Sequence, residues 1–409
     1  MSVDEALDRV LAAVSPLPAE TVQLPDALGR VTAADIVASQ DLPSVRNSAM
    51  DGYAVGSGDT ARASAEQPVQ LTVTGTIAAG DEPGFAVGQG QAIRIMTGAP
   101  IPDGADAIVR FEDTDERSRS GTSGMELSEI GVLRPVEPGT NVRPAGEDIA
   151  KGKLAVAAGT WLRPAEIGLL SGLGVHDVAV HRRPDVAILS TGNELVPPGA
   201  PVQAGQIRDS NSLMLAAFAS QTGANPIAIG IARDEIADLS EKLRSCQSCD
   251  FIITSGGVSA GEYDMVKDVL HAEGSIDVWQ VRMKPGKPLA FGWIGSIPFL
   301  GLPGNPVAAA VAFTQFAGPA IRTMLGLRDV MPETVTARLT ESIDNSGQRR
   351  HYVRAMLERS EPNGYTVSAV GAQGAGVLTS LTRANALIVL PEEIERAEAG
   401  AMVQVQILH

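Results

Sequence analysis

Cysteine is nearly absent: the 409-residue chain has 2, both in "SCQSCD". The spacing of Cys246 and Cys249 would suit a redox pair or half of a zinc site. No second such pair exists and the 5 histidines are scattered, so reduced thiols at the end of a helix are the expectation. Aromatic residues make up 4%, which leaves the cores to Ala, Val, Leu and Ile. Positive charge is also short, with 32 Lys and Arg against 48 Asp and Glu and a net charge of −16. That balance argues against nucleic acid as the main partner, but not against a small anion held in a local basic pocket. No apolar run reaches the ~18 uninterrupted residues of a membrane span. The best candidate, "PVAAAVAFTQFAGPAI", contains Gln315 and Pro319 and reads as a buried helix. The first residues, "MSVDEALDRVLAAV", are acidic and amphipathic, unlike a signal peptide, and point to the cytoplasm. Missing too are a GxGxxG followed by an acidic residue at the right distance, a GxxxxGK[ST] loop and a GxSxG elbow.

What is present changes along the chain. Gly (43) and Pro (26) are frequent, which favours tight turns and short strands. Residues 1–40 read as helix, short strand and helix. From about 45 to 143, short alternating runs such as "QLTVTGTIAAGD" and "DAIVRFED" indicate a small β-rich domain. Residues 185–325 alternate apolar runs of strand length ("DVAILS", "NPIAIGIA", "DFIITS") with helix-period segments, the rhythm of a parallel sheet covered on both faces. β texture returns from 331 to 409.

Ligands of such sheets bind beyond the carboxyl ends of the strands, so the loops there carry most weight. "AILSTGNEL" supplies Glu194, and "GQIRDSNS" places Asp209, Ser210 and Asn211 where a helix should begin. "ITSGGVSAGEYDMVKD" joins Ser255, Gly256, Gly257 and Ser259 to Glu262 and Asp264. "LPGNPVAAAVAF" opens a long apolar helix with Gly304 and Asn305 at its mouth. Small residues there let backbone N–H groups approach a ligand, and helix starts favour anions. Glu194, Asp209 and Asp264 could converge on a divalent cation. Taken singly, each loop reads more readily as a cap or a turn; four at one sheet edge read as a site. "KPGKPLAFG" sets Lys284 and Lys287 on a rigid Pro-Gly bend, suited to gripping an oxyanion.

These loops, in this order, resemble those of the molybdopterin molybdenumtransferases of molybdenum-cofactor biosynthesis, bacterial relatives of the gephyrin E domain. The resemblance covers the whole chain and includes "NSAMDGYAV", "RIMTGAPIPDGADAIV", "NVRPAGEDI", "TSGGVSAGEYD", "KPGKPLAFG", "LPGNPV" and "QGAGVLTSLTRANALIVLP". It implies a multidomain α/β plus β protein. A central doubly wound α/β domain with a mainly parallel sheet would span 183–328, and a β-rich domain inserted before it 45–143. A linker domain would comprise 1–44 with 144–182, and a C-terminal β-barrel-like domain 329–409. It implies insertion of molybdate into adenylylated molybdopterin with Mg²⁺-dependent release of AMP. Glu194, Asp209 and Asp264 would lie around the pyrophosphate or Mg²⁺. Lys284, Lys287 and Arg349 would grip molybdate, and Pro303 and Pro306 would shape the pocket. Asp51, Thr97 and Asp148 would face the other subunit's site in a homodimer. A separate adenylyltransferase, in transient contact, would supply the substrate. Ala308 and Ala375 stand where relatives often carry serine. A non-catalytic molybdopterin carrier or scaffold, and a tungstate-preferring enzyme, remain the alternatives.

Overall fold

Parity along the strand Asp185–Thr191 shows how the central sheet is built. Val186 and Ile188 enter one buried cluster, Ala187 and Leu189 another. The strand Phe251–Ser255 divides likewise, with Phe251 and Ile253 on the first face and Ile252 on the second. Helices Asn211–Thr222 and Gly318–Met324 cover the first face through Leu215, Ala219 and Ile321, and helix Ile236–Ser245 covers the second through Leu239 and Leu243. Strands buried on both faces must be apolar throughout, which is why they read as continuous runs. The computed structural model describes residues 1–120, 127–257, 274–360 and 364–408, and the statements below concern those residues.

In space the sheet runs Asn225–Ala232, Asp185–Thr191, Phe251–Ser255, Ile297–Leu302, Pro288–Ile294, Gly274–Gln280. The first four strands are parallel, and the last two add antiparallel. The expected doubly wound, mainly parallel sheet is therefore present, with an antiparallel hairpin at one edge. The parallel strands deliver Thr191, Ser255 and Leu302 to a common edge. From there Pro306–Ala312 begins a helix that continues through a π-turn, Phe313–Ala317, where Gly318 N–H reaches Phe313 O. The wider turn carries the chain past Pro319, which has no N–H to donate. Among the described residues no helix is long and apolar enough to cross a membrane.

Beyond the sheet, five strands close into a barrel. Arg350–Ser360 pairs with both Gly364–Ala369 and Ala386–Leu390, and Thr334–Leu339 and Met402–Ile407 complete the ring. Small and branched side chains fill it, among them Ala337, Val353, Ala355, Val367, Ile388 and Val405. The outward residues Tyr352 and Leu387 belong instead to the first cluster of the α/β region. The N-terminal helix Val3–Ala12, capped by Ser2 Oγ on Glu5 N–H, packs into that same cluster with Val3, Ala6, Leu7 and Val10.

The chain divides into two compact units. Met1–Ala34, Ala158–Arg163 and Asp177–His409 form the first; Asp35–Ala157 and Pro164–His176 form the second. Within the second unit a five-stranded sheet runs Ala107–Arg110, Gly52–Val55, Gln91–Ile95, Val69–Ile77, Glu129–Val132. It buries Tyr53, Ile93 and Val109, whose neighbours Arg94 and Glu116 form a nearly buried ion pair at 3.1 Å.

Candidate active site

A cavity of about 890 Å³ opens at the carboxyl edge of the parallel strands, inside the first unit. Glu194, Asp209, Ser255, Gly256, Gly257, Pro303 and Pro306 all line it, and so do Lys284, Lys287 and Arg349. The structure therefore brings together most of the residues singled out in the sequence. Ser259, Glu262 and Asp264 lie outside the described residues.

The cations reach the cavity by a specific route. After the antiparallel strand ending at Gln280, the two-residue strand Met283–Lys284 pairs in parallel with the barrel, Lys284 opposite His351. The Pro-Gly bend follows, with a cis peptide at Lys284–Pro285 and Gly286 at φ 105°. Arg349 immediately precedes the barrel strand. Lys284, Lys287 and Arg349 form no ion pair among the described residues, and in a chain of net charge −16 that is unusual.

On the opposite side of the chemistry, Asp209 is buried and heavily bonded. Its Oδ1 accepts from Ser190 Oγ at 3.1 Å, Asn211 N–H at 3.0 Å and Ser212 N–H at 3.1 Å, and its Oδ2 from Ser212 Oγ at 2.6 Å. One lone pair on Oδ2 is what it has left for a ligand. Glu194, by contrast, is exposed, and its carboxylate makes no hydrogen bond or ion pair among the described residues. Ser255 is also occupied internally, accepting from Asn211 Nδ2 at 2.7 Å and donating to Pro303 O at 3.3 Å. Gly256, at φ 93°, closes against Thr191; a Cβ there would stand 2.6 Å from Thr191 O, so only glycine fits.

The backbone N–H groups expected to meet an anion are largely taken. Asn211 and Ser212 donate to Asp209, and Val307 N–H donates to Ala375 O at 3.0 Å. Positive charge at the cavity thus comes from side chains more than from helix starts. Alanine at 308 and 375 fits this packing: Ala308 is buried and lines the cavity, and Ala375 offers its carbonyl to the helix.

Three residues at or beneath the cavity escaped the sequence reading or gained a new role. Arg354 is wholly buried without a carboxylate partner. Its Nε donates to Ser380 Oγ at 3.1 Å, its Nη2 to Ala372 O and Gly374 O at 3.2 and 3.1 Å, and its Nη1 has no partner. It holds the 372–376 loop, whose Gln373, Gly374, Ala375 and Gly376 line the cavity. His351 is buried with both ring nitrogens unpartnered. Burial, then the charges of Lys284, Arg354 and Arg349, push its pKa down to about 4. Asn211 ties three loops, because its Nδ2 reaches both Ser255 Oγ and Gly304 O at 2.7 Å. Arg354 shares the outward parity of Tyr352, and His351 that of the barrel-filling Val353 and Ala355; neither carries a local signal of what lies over its face of the strand.

In the second unit, Asp51 Oδ1 accepts from Thr97 N–H at 2.7 Å and Thr97 Oγ1 at 2.9 Å. These bonds hold its carboxyl below the usual carboxylate range. Asp148 is exposed, and its N–H donates to Leu42 O at 3.0 Å. Cys246 and Cys249 are buried free thiols at the end of helix Ile236–Ser245. Burial pushes Cys246 up to about 11, which leaves it inert.

Family models match nearly the whole chain: "MoeA N-terminal region (domain I and II)" over residues 1–174, "Probable molybdopterin binding domain" over 187–323 and "MoeA C-terminal region (domain IV)" over 336–408. A molybdopterin molybdenumtransferase 2 of Mycobacterium tuberculosis is 39% identical over 392 residues, 94% of each chain. The chain belongs to the molybdopterin molybdenumtransferase family. A molybdopterin molybdenumtransferase of Haemophilus influenzae is 35% identical, covering 99% of this chain and 98% of the relative. The crystal structure of a molybdopterin biosynthesis moeA protein from Pyrococcus horikoshii superposes with TM-score 0.84 at 30% identity, covering 100% of this chain and 99% of that one. Family membership makes this chain a transferase with a role in molybdenum-cofactor biosynthesis.

Proposed function

We propose that the cavity inserts molybdate into molybdopterin presented as its adenylate, with divalent-metal-dependent release of AMP. One observation carries this reading: three cations, Lys284, Lys287 and Arg349, share a cavity and have no acidic partner among the described residues. Fixed, unneutralised cations desolvate and orient a tetrahedral dianion, and hold it for attack without reorganising. Arg354 adds a buried positive charge behind the loop that closes the same cavity. Ser255, Gly256, Gly257, Pro303 and Pro306 shape the wall on which the pterin would lie, and Ser259 would extend it.

The donor set suits a hard divalent cation, which takes carboxylate oxygens. Glu194, the remaining lone pair of Asp209 Oδ2 and Asp264 would hold Mg²⁺. When bound, the ion would supply charge neutralisation at the phosphoanhydride. In this reading Asp51, Thr97 and Asp148 face the site of the second subunit in a homodimer. The adenylate comes from a separate adenylyltransferase that makes transient contact, and the whole sequence takes place in the cytoplasm. The four-domain division, with 1–44 joined to 144–182, is part of the same proposal.

The test is turnover of the purified chain with adenylylated molybdopterin, Mg²⁺ and molybdate, following AMP. Release that requires molybdate supports the transferase, and tungstate in its place reads out oxyanion preference. Tight molybdopterin binding with no AMP release sinks the catalytic reading. Lys284→Ala is expected to weaken molybdate binding by about tenfold or more, with a much smaller effect on the adenylylated pterin. Equal loss of both, measured by calorimetry, would move Lys284 onto the phosphate. Asp51→Ala is expected to abolish cofactor formation and cost no more than about 1 kcal/mol of stability at neutral pH. Because the folded carboxyl titrates below its unfolded value, that small contribution is present above the unfolded pKa and fades as pH falls through the folded one. Melts at pH 7 and pH 3 would show it, and loss of the cooperative melt at pH 7 would contradict the assignment.

A further inference from the structure

Two residues that line the cavity, Asn211 and Thr191, each carry a buried polar atom without a partner, Oδ1 and Oγ1. Both residues are 8% exposed. Buried polar groups are almost always hydrogen-bonded, and orphans that line a cavity point to a ligand. The orientation of the Asn211 amide is fixed by chemistry. Its other atom, Nδ2, lies 2.7 Å from Gly304 O, a carbonyl that can only accept. Oδ1 is therefore the acceptor left over.

The two orphans stand at the same turn. Asn211 Nδ2 holds Ser255 Oγ, and Thr191 Oγ1 lies 2.9 Å from where a Cβ on the next residue, Gly256, would be. The surroundings disfavour an anion at this spot, because the buried Asp209 carboxylate accepts the Asn211 and Ser212 N–H groups beside it. What the spot offers is one fixed acceptor and one hydroxyl that can rotate to donate or accept. That pattern complements a neutral ring edge in which N–H groups adjoin a carbonyl.

We propose that Thr191 and Asn211 form the specificity station for the N–H/carbonyl edge of the pterin ring, with Asn211 Oδ1 accepting from ring N–H and the Thr191 hydroxyl bonding beside it. This rests on the reading of the cavity as a molybdopterin site. It separates two tasks within one cavity: the cations select charge, and this neutral pair selects the heterocycle.

Thr191→Val keeps the shape of the side chain and removes only the hydroxyl. The affinity of the full-length chain for metal-free molybdopterin would be measured by fluorescence, and for molybdate and Mg²⁺ by calorimetry. Thr191→Val is expected to weaken molybdopterin about tenfold, the effect of leaving a polar ligand group unpaired. Molybdate and Mg²⁺ affinities should stay within about twofold, and the melting temperature should not fall. Thr191→Ser, which retains the hydroxyl, should restore binding, and a pterin methylated on the ring N–H assigned to Asn211 Oδ1 should bind wild type about tenfold more weakly than the parent pterin. Unchanged molybdopterin affinity in Thr191→Val overturns the proposal, as does equal loss of all three ligands or an effect on Mg²⁺ alone. If the wild-type chain binds no molybdopterin, the functional reading falls and this inference with it; binding that ignores Thr191 removes the inference alone.

Discussion

Between pH 6.5 and about 4 the first unit is expected to lose about 3 kcal/mol of stability because of His351. The unfolded ring binds its proton near 6.5, whereas the folded ring, buried among Lys284, Arg354 and Arg349, does so only near 4. At neutral pH neither state is protonated and the residue imposes no penalty. As pH falls through the window, the unfolded state gains protons first, so stability declines steadily, then levels off below the folded value. Carboxylates titrate over part of the same range, so the informative quantity is the difference from His351→Phe, a ring of similar size that cannot charge. All three tryptophans, Trp161, Trp279 and Trp293, belong to the first unit, so their fluorescence in urea reports this unit and not the other. The variant should hold its stability toward acid better than wild type by that amount. Parallel pH curves for the two proteins would show that the ring is charged, or hydrated, in the native state.

Arg354→Met is expected to weaken molybdate binding on the order of 100-fold while changing the unfolding free energy by less than about 2 kcal/mol. At an effective dielectric of ~20 a buried positive charge some turns away from an anion contributes on the order of 1.4 kcal/mol per negative charge, and the two charges of molybdate together give about that factor. The effects on stability oppose each other. Ala372 O and Gly374 O lose their donors, but both residues are exposed and their carbonyls can turn to water. Against that, a guanidinium whose pKa burial has lowered, and which has no carboxylate beside it, leaves the interior. Arg354→Lys should not rescue binding, since a lysine cannot reach the Ser380 hydroxyl and two carbonyls from one planar fork. Calorimetric titration of molybdate alongside a urea melt would decide it. Undiminished affinity would mean that the charge is screened from the cavity.

The sheet was legible because its strands are buried on both faces: "DVAILS" and "DFIITS" admit no polar position until the strand ends, and the end is where Thr191 and Ser255 stand. The basic turn was legible as well, because Lys284, Pro285, Gly286 and Lys287 are local in sequence. Arg354 and His351 were not. In "RRHYVRAML" alternation alone suggests that one set of side chains meets water, whereas the barrel strand is covered on both sides. The 372–376 loop over Arg354 and the Met283–Lys284 strand paired beside His351 both come from elsewhere in the chain. Asp209 shows the same limit in another form. Its position before a helix suited both a cap and a ligand, and only the placement of Ser190, brought by a strand from earlier in the chain, shows how much of its carboxylate is committed.

The N-terminal helix has consequences for the order in which the protein can be made. Val3, Ala6, Leu7 and Val10 leave the ribosome well before the residues from Val186 onward that share their buried cluster, and Asp4 meets Arg350 at 2.7 Å. Strand Ala19–Gln23 likewise waits for Asp177–His181. The second unit, by contrast, draws its residues from 35–176 alone and can close while the rest is still being synthesised. At synthesis rates of ~5–20 residues per second, an apolar helix stays without its docking surface for roughly 20–70 seconds. For that interval the apolar face of the helix is the kind of transiently exposed surface from which misassembly starts.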